Sequence, residues 1–511
     1  MSRSPVIAIG LDATELTVIE RWCDEGKLPA LRALRERGTR GALRSGADLF
    51  AGAVWPCFYS AREVPWHSIY HNKMWRQEHM RCEAPSDDWL PERPFWERLA
   101  PERNRIAVID APFALGDIRP VPGLALAGWQ SHDVREQGAY PAELWGQLER
   151  AYGKPAMPPE YFGEQSVSRL RHTRDELIRS AHQLTRISED LLGRERWDFF
   201  LTVFGAAHRG GHYLWDLSQV DAGHLSAAER EQLERSLLHL YQTCDEGVAR
   251  LVARAPNDAR ILVFALHGMQ RNSGWADRCA DILFRILAGE SGERPRTGLL
   301  YRLKRALPWS LVREVTTRLP HAIQHRLVSI WSARMFDWRT TRVFPLPMDM
   351  GGFIRLNVRG RERDGIVQPG AEYDTLCEDL HVAFLSFRDA ATGAPIVRDV
   401  VRADELAPDD APYRHRLPDL IVRWGDVSAI DCPVIRSERH GELRWEGGRL
   451  PSGRSGNHVP TGWFVAAGPG IPRGQCAEAF STLDLAPTIL AWLDEEIPAE
   501  VQGRPIAHLC A

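Results

Sequence analysis

Asp12, His67, His208, His212, His267 and His458 are the residues with the types and positions suited to a divalent-metal centre. Asp12 follows the apolar run Val6-Ile7-Ala8-Ile9-Gly10. Its carboxylate is therefore expected at the carboxyl end of a strand, where an open α/β sheet places its chemistry. His208 and His212 are four apart in Ala-Ala-His-Arg-Gly-Gly-His. A helical turn there puts both on one face, within reach of one ion. His267 comes directly after the apolar run 261–266, and Gly268 lets the chain turn. His458 lies in the turn-rich Arg454-Ser455-Gly456-Asn457-His458, just before another strand. A single histidine in such a place is more often a hydrogen-bonded structural residue. Several at strand ends favour one shared cation.

These side chains need a sheet to hold them, and the hydrophobic pattern supplies one. Short apolar runs at 6–10, 105–110, 199–204, 261–266 and 463–467 alternate with amphipathic stretches at 14–24, 175–192, 227–253 and 483–493. That βαβ rhythm predicts an α/β fold with a mostly parallel central sheet flanked by helices. The rhythm changes after residue 275. Arg-rich amphipathic helices are expected at 299–307, 311–319 and 321–334, broken by Pro308 and Pro320. Strands at 352–358 and 420–424 and a helix at 372–385 follow. We read 1–275 and 431–511 as two parts of one core, and 276–430 as an inserted helical and α+β cap. A basic amphipathic stretch can also lie on a membrane surface, but a solvated cap face is the plainer reading.

Composition narrows the partners. A net charge of -4 gives no basic excess for a nucleic-acid groove and no acidic excess for disorder. No apolar run is long enough to span a bilayer. The nine cysteines are odd in number and scattered, with no Cys-x-x-Cys pair, which suits a reduced, cytoplasmic protein.

An ordered set of strings resembles the alkaline phosphatase superfamily, specifically its type I phosphodiesterase/nucleotide pyrophosphatase branch. Gly10-Leu11-Asp12 with Lys27-Leu-Pro-Ala-Leu-Arg looks like the opening of that family. Trp55-Pro-Cys-Phe-Tyr-Ser, continuing to Pro65-Trp66-His67-Ser68, looks like its nucleophile turn. Gly351-Gly-Phe-Ile-Arg-Leu-Asn-Val-Arg-Gly-Arg-Glu362 and Leu417-Pro-Asp-Leu420 resemble its later insert. His458-Val-Pro-Thr-Gly-Trp-Phe-Val-Ala-Ala-Gly and Asp484-Leu-Ala-Pro-Thr resemble its carboxyl end. The resemblance covers most of the chain outside the helical insert.

It implies two metals, a Ser or Thr nucleophile and a covalent phospho-enzyme. One site would take Asp12, the nucleophile and an Asp-His pair; the other an Asp, a His four later and the late His. Asp12, His267, His212 and His458 match. Three positions depart: Leu266 stands for an Asp, His208 for the other Asp, and Ala51-Gly52-Ala53-Val54 holds no attacking group. Ser45, Cys57 and Ser60 are the nearest hydroxyl or thiol groups, and His67 matches no ligand position.

The expected centre is therefore a three-imidazole zinc site of His208, His212 and His458, with manganese as a second candidate and a second ion uncertain. Asp12 and His267 make a poor second site and would orient water or substrate, or act as acid and base. Arg62 and Arg209 are candidates for gripping an anion. The expected function is hydrolysis of a small-molecule phosphodiester, pyrophosphate or phosphomonoester by metal-activated water. Two alternatives stand beside it. One is an inactive relative that binds a phosphorylated ligand or protein. The other is a shifted Ser45 or Ser60 acting as nucleophile.

Overall fold

The computed structural model describes residues 3–83, 85, 93–112, 118–131, 137–158, 161, 163–291, 336–346, 351–445 and 448–510. The Arg-rich helices expected within 299–334 lie outside these residues. The central sheet contains β1 (Val6–Leu11), β2 (Thr39–Arg44), β3 (Ile106–Ile109), β4 (Gly123–Ala127), β5 (Gly138–Tyr140), β6 (Phe199–Phe204), β7 (Arg260–Ala265), β8 (Thr461–Ala467), β9 (Gly474–Gln475) and β10 (Phe480–Ser481). Their order is β9-β2-β8-β7-β1-β6-β3-β4-β5, with β10 also beside β2.

The middle of the sheet is parallel: β1 runs with β6 and β7, and β3 with β6 and β4. β8 enters antiparallel between β7 and β2, and β5 lies antiparallel on β4. Every residue of β1 and β6 is buried, as parallel strands covered on both faces require. One hydrophobic core covers each face of the sheet.

The helices that matter to the site are α1 (Leu16–Asp24), α2 (Val54–Ser60), α3 (Val167–Arg194), α4 (Ala206–Leu214) and α5 (Ser236–Arg254). In α3, Leu170, Leu177, Leu184, Ile187 and Leu191 recur at helical spacing and are all buried. Ser166 caps its start by accepting from Arg169 N–H. The single helix expected over 227–253 is two, Ala227–Glu234 and α5, because Arg235 takes ψ -2° and breaks the run.

A strut closes the carboxyl edge of the sheet. Asp110, just past β3, takes φ 60° and accepts from the N–H groups of Trp129, Gln130 and Ser131 beyond β4. Burial raises its carboxyl to about 6, even though those three N–H groups favour the charged form.

A third core draws on residues between Trp275 and Leu450. It is built on the sheet of Val343–Pro345, Gly352–Leu356, Leu420–Trp424 and Val397–Arg402, with helix Ala371–Leu385 against it. Phe353 of this unit meets Phe50 and Tyr70, at centroid separations of 5.7 and 5.9 Å. Arg423 donates to Asp48 at 2.9 Å. This unit is thus fastened to the segment that leads into α2. No helix among the described residues is long and apolar enough to cross a membrane.

Candidate metal centre

Asp12 extends β1 by one residue, its N–H donating to Phe204 O at 3.2 Å. Ala13, at φ 55°, then turns the chain into α1. The carboxylate is 2% exposed and both its oxygens are engaged. Oδ1 accepts from the Trp55 indole N–H at 2.9 Å, and Oδ2 from His208 Nδ1 at 2.8 Å. Burial alone would raise this carboxyl. The His208 charge and hydrogen bond, with smaller help from His267 and Trp55, hold it down at about 2 instead.

The Ala206–Leu214 segment is helical, as the spacing predicts, so His208 and His212 share a face. Their Nε2 atoms are 3.1 Å apart. His458 Nε2 lies 3.2 Å from His208 Nε2. The turn expected around His458 is a strand instead. Gly456–Val459 pairs antiparallel with Gly268–Arg271 and sets Met269 opposite His458. This ladder, invisible in the hydrophobic pattern, brings His458 beside His267, with ring centroids 4.6 Å apart. Gly456 is required here, since a Cβ would stand 2.1 Å from Gly211 O of α4. The same closeness lets Ser455 N–H reach His212 O at 2.8 Å.

Tautomers follow from the partners. His208 Nδ1 faces an ionised carboxylate and must donate. His212 Nδ1 faces Gly456 O at 3.0 Å and must donate as well. In the neutral rings both Nε2 atoms then carry lone pairs, pointed at each other and at His458 Nε2. Three imidazole nitrogens around tetrahedral zinc, at ~2.0–2.1 Å each, stand about 3.3 Å apart. The observed 3.1 and 3.2 Å are close to that edge. Among the described residues, these three form the only cluster of possible ligand atoms that converges in this way, all within 4.8 Å. Burial, then the neighbouring imidazoles, holds His458 well below the ordinary histidine range. Burial also brings His267 down to about 4, against the opposing pull of Asp12. The Nδ1 atoms of His267 and His458 are buried without a hydrogen-bond partner. The convergence of the three Nε2 atoms in a largely buried place fits a cation.

No family model matches this sequence, and no curated protein matches it either. Solved structures do. Alkaline phosphatase PafA aligns over 100% of both chains at TM-score 0.55 and 12% identity. Phosphonoacetate hydrolase from Sinorhizobium meliloti 1021, bound to phosphonoacetate, aligns over 96% of this chain and 95% of its own, at TM-score 0.51 and 14% identity. The chain has the alkaline phosphatase fold. Human ectonucleotide pyrophosphatase/phosphodiesterase 5 aligns at TM-score 0.44 with 13% identity, over 97% and 96% of the chains, too loosely to choose a branch.

Within the alkaline phosphatase fold, the departures seen in the sequence have structural counterparts. Leu266 is fully buried in the core, so the position before His267 supplies no carboxylate. Ala51–Ala53 form a short 3-10 turn and Val54 starts α2, with no attacking atom among them. The two serines are engaged on main chain: Ser45 donates to Pro460 O at 2.9 Å and Ser60 to Pro56 O at 2.6 Å. This geometry gives the shifted-serine alternative no support. Cys57 Sγ lies 3.2 Å from His67 Nε2, but His67 Nδ1 accepts from Ile69 N–H at 3.1 Å. Nε2 of the neutral ring therefore carries the proton and cannot take one from the thiol. Burial pushes the Cys57 thiol up and, with the Arg62 charge, His67 down to about 3. The pair is a structural contact.

The two candidate arginines have these contacts. Arg62 lies over the Trp66 ring, 4.5 Å from its centroid. Arg209 is 2% exposed and donates to Pro158 O at 2.8 Å. Sequence reasoning missed Trp55 as a partner of Asp12. The only signal for it was Gly10, where a Cβ would meet Trp55 Cη2 at 3.1 Å.

Proposed function

We infer that the chain is a metal-dependent hydrolase of phosphoester-type bonds, with one divalent cation held by His208, His212 and His458. The convergence of their Nε2 atoms carries this reading. An all-imidazole set suits zinc, with manganese as the alternative. When bound, such a cation lowers the pKa of adjacent water toward about 7 and stabilises charge on phosphoryl oxygens. The similarity to an alkaline phosphatase and a phosphonoacetate hydrolase supports phosphorus chemistry and leaves the leaving group open.

The chain's own residues divide the work. Asp12 holds the His208 Nδ1 proton, and Gly456 O holds that of His212, so each ring presents Nε2. With no hydroxyl or thiol from Ala51 to Val54, the attacking oxygen is that of water. As it bonds to phosphorus the bond to the leaving oxygen breaks, and the water's proton passes to His267 or solvent. His267 stands beside His458, buried and neutral at pH 7, in place to orient that water. The substrate is a small molecule bearing a phosphodiester, pyrophosphate or phosphomonoester. The unpaired cysteines suit a reducing compartment such as the cytoplasm.

The missing nucleophile favours a second reading, that the site binds a phosphorylated ligand without turnover. One assay separates the two. The purified chain should cleave bis-p-nitrophenyl phosphate or p-nitrophenyl phosphate, lose activity to a chelator, and regain it with zinc or manganese. Bound metal with no cleavage of either ester would favour the second reading.

A further inference from the structure

We propose that Trp55 is a positioning residue that holds Asp12 against His208 and so aims that ring at the cation site. The inference rests on the three-imidazole reading above. Each oxygen of the Asp12 carboxylate accepts one hydrogen bond, and the two together fix its orientation. Oδ2 is bonded to His208 Nδ1 at 2.8 Å and Oδ1 to the Trp55 indole at 2.9 Å. The indole is 3% exposed and wedged between Phe58 and Phe264, at centroid separations of 5.7 and 6.0 Å. It cannot swing aside without opening the core beneath the sheet. Gly10 leaves the room it needs.

The consequence runs through Asp12 to His208. An N–H fixed on Oδ1 holds the carboxylate in one rotamer, with Oδ2 facing Nδ1. That sets the tautomer and tilt that aim His208 Nε2 at His212 and His458. Asp12 thus acts as the carboxylate of a carboxylate–histidine–metal chain, and Trp55 stands one step behind it. Substitutions of such outer partners typically weaken metal binding by about 10- to 100-fold.

The test is a competitive Co²⁺ titration of the metal-stripped full chain, following the visible absorption band. Wild type is compared with Trp55→Phe and Trp197→Phe. Trp197 is an apt control, because its indole also makes one buried hydrogen bond, to Leu191 O at 2.9 Å. It lies just before β6, at the opposite end of that strand from His208. The expected result is one equivalent in wild type, binding about 10- to 100-fold weaker with a shifted band in Trp55→Phe, and wild-type behaviour in Trp197→Phe. Should Trp55→Phe not fold, the near-isosteric Asp12→Asn carries the test. It places an amide N–H against a donor on one side and should weaken binding at least as much. Equal affinities in the two tryptophan variants would overturn the proposal, as would wild-type affinity in Asp12→Asn. A wild type that binds one equivalent through His208 but is indifferent to Trp55 defeats this inference alone. A wild type that binds none defeats the three-imidazole reading with it.

Discussion

Replacing His208 by alanine is expected to remove the bound metal and the hydrolytic activity together. Among the ligand rings, His208 is tied to Asp12 at 2.8 Å, His212 at 3.1 Å and His458 at 3.2 Å. Its loss leaves two imidazoles, too few for a closed zinc site. It also leaves the buried Asp12 carboxylate with only the Trp55 N–H, at a cost of about 1–3 kcal/mol. Because outer partners alone are worth about 10- to 100-fold in affinity, loss of a direct ligand should exceed about 100-fold. Elemental analysis of the purified variant together with its rate on p-nitrophenyl esters checks both halves. Stoichiometric metal in the variant would show that His208 is not a ligand.

The largest expected loss of stability lies in the unit between Trp275 and Leu450. Arg355 and Glu362 are fully buried and paired at 2.7 Å. Glu362 also takes Arg361 Nε at 2.9 Å and Val358 N–H at 3.1 Å. Arg355 reaches on to Leu417 O, His415 O and Gln77, and Arg361 to Asp419. This network ties the strand Gly352–Leu356 to the loop before Leu420–Trp424 and to the segment after β-strand Met74–Arg76. Glu362→Ala strands a buried guanidinium, and breaking a buried pair from one side costs about 3–5 kcal/mol. Urea denaturation should show that loss, with Glu362→Gln intermediate because it keeps the shape and an acceptor. A loss below about 1 kcal/mol would mean water reaches the pair.

The elements most legible in the sequence were those whose burial is complete. β1, β6 and β7 are almost wholly apolar runs, interrupted only by Thr202 in β6 and led by Arg260 in β7, and α4 was written in the spacing of His208 and His212. β2 was missed because Thr39–Arg44 alternates with Gly and Ala, small residues that carry little pattern. Gly456–Val459 read as a turn because its strand character comes from a partner far away in sequence, Gly268–Arg271.

The histidines were found, but the role of Asp12 was not fully legible. A residue type does not distinguish a carboxylate that binds a metal from one that holds a ligand. The partner that decides it, Trp55, is 43 positions away. Arg62 and Arg209 were chosen by adjacency, which does not set the direction of a side chain. Arg209 turns to Pro158 while its neighbour His208 faces the cluster.

Anomalous diffraction at the zinc edge, from crystals of the zinc-loaded chain, bears most directly on the central claim. The account predicts one peak, about 2.1 Å from the Nε2 atoms of His208, His212 and His458, with Asp12 still bonded to Trp55. A pair of peaks with Asp12 as a ligand, or no peak among the three rings, would contradict it.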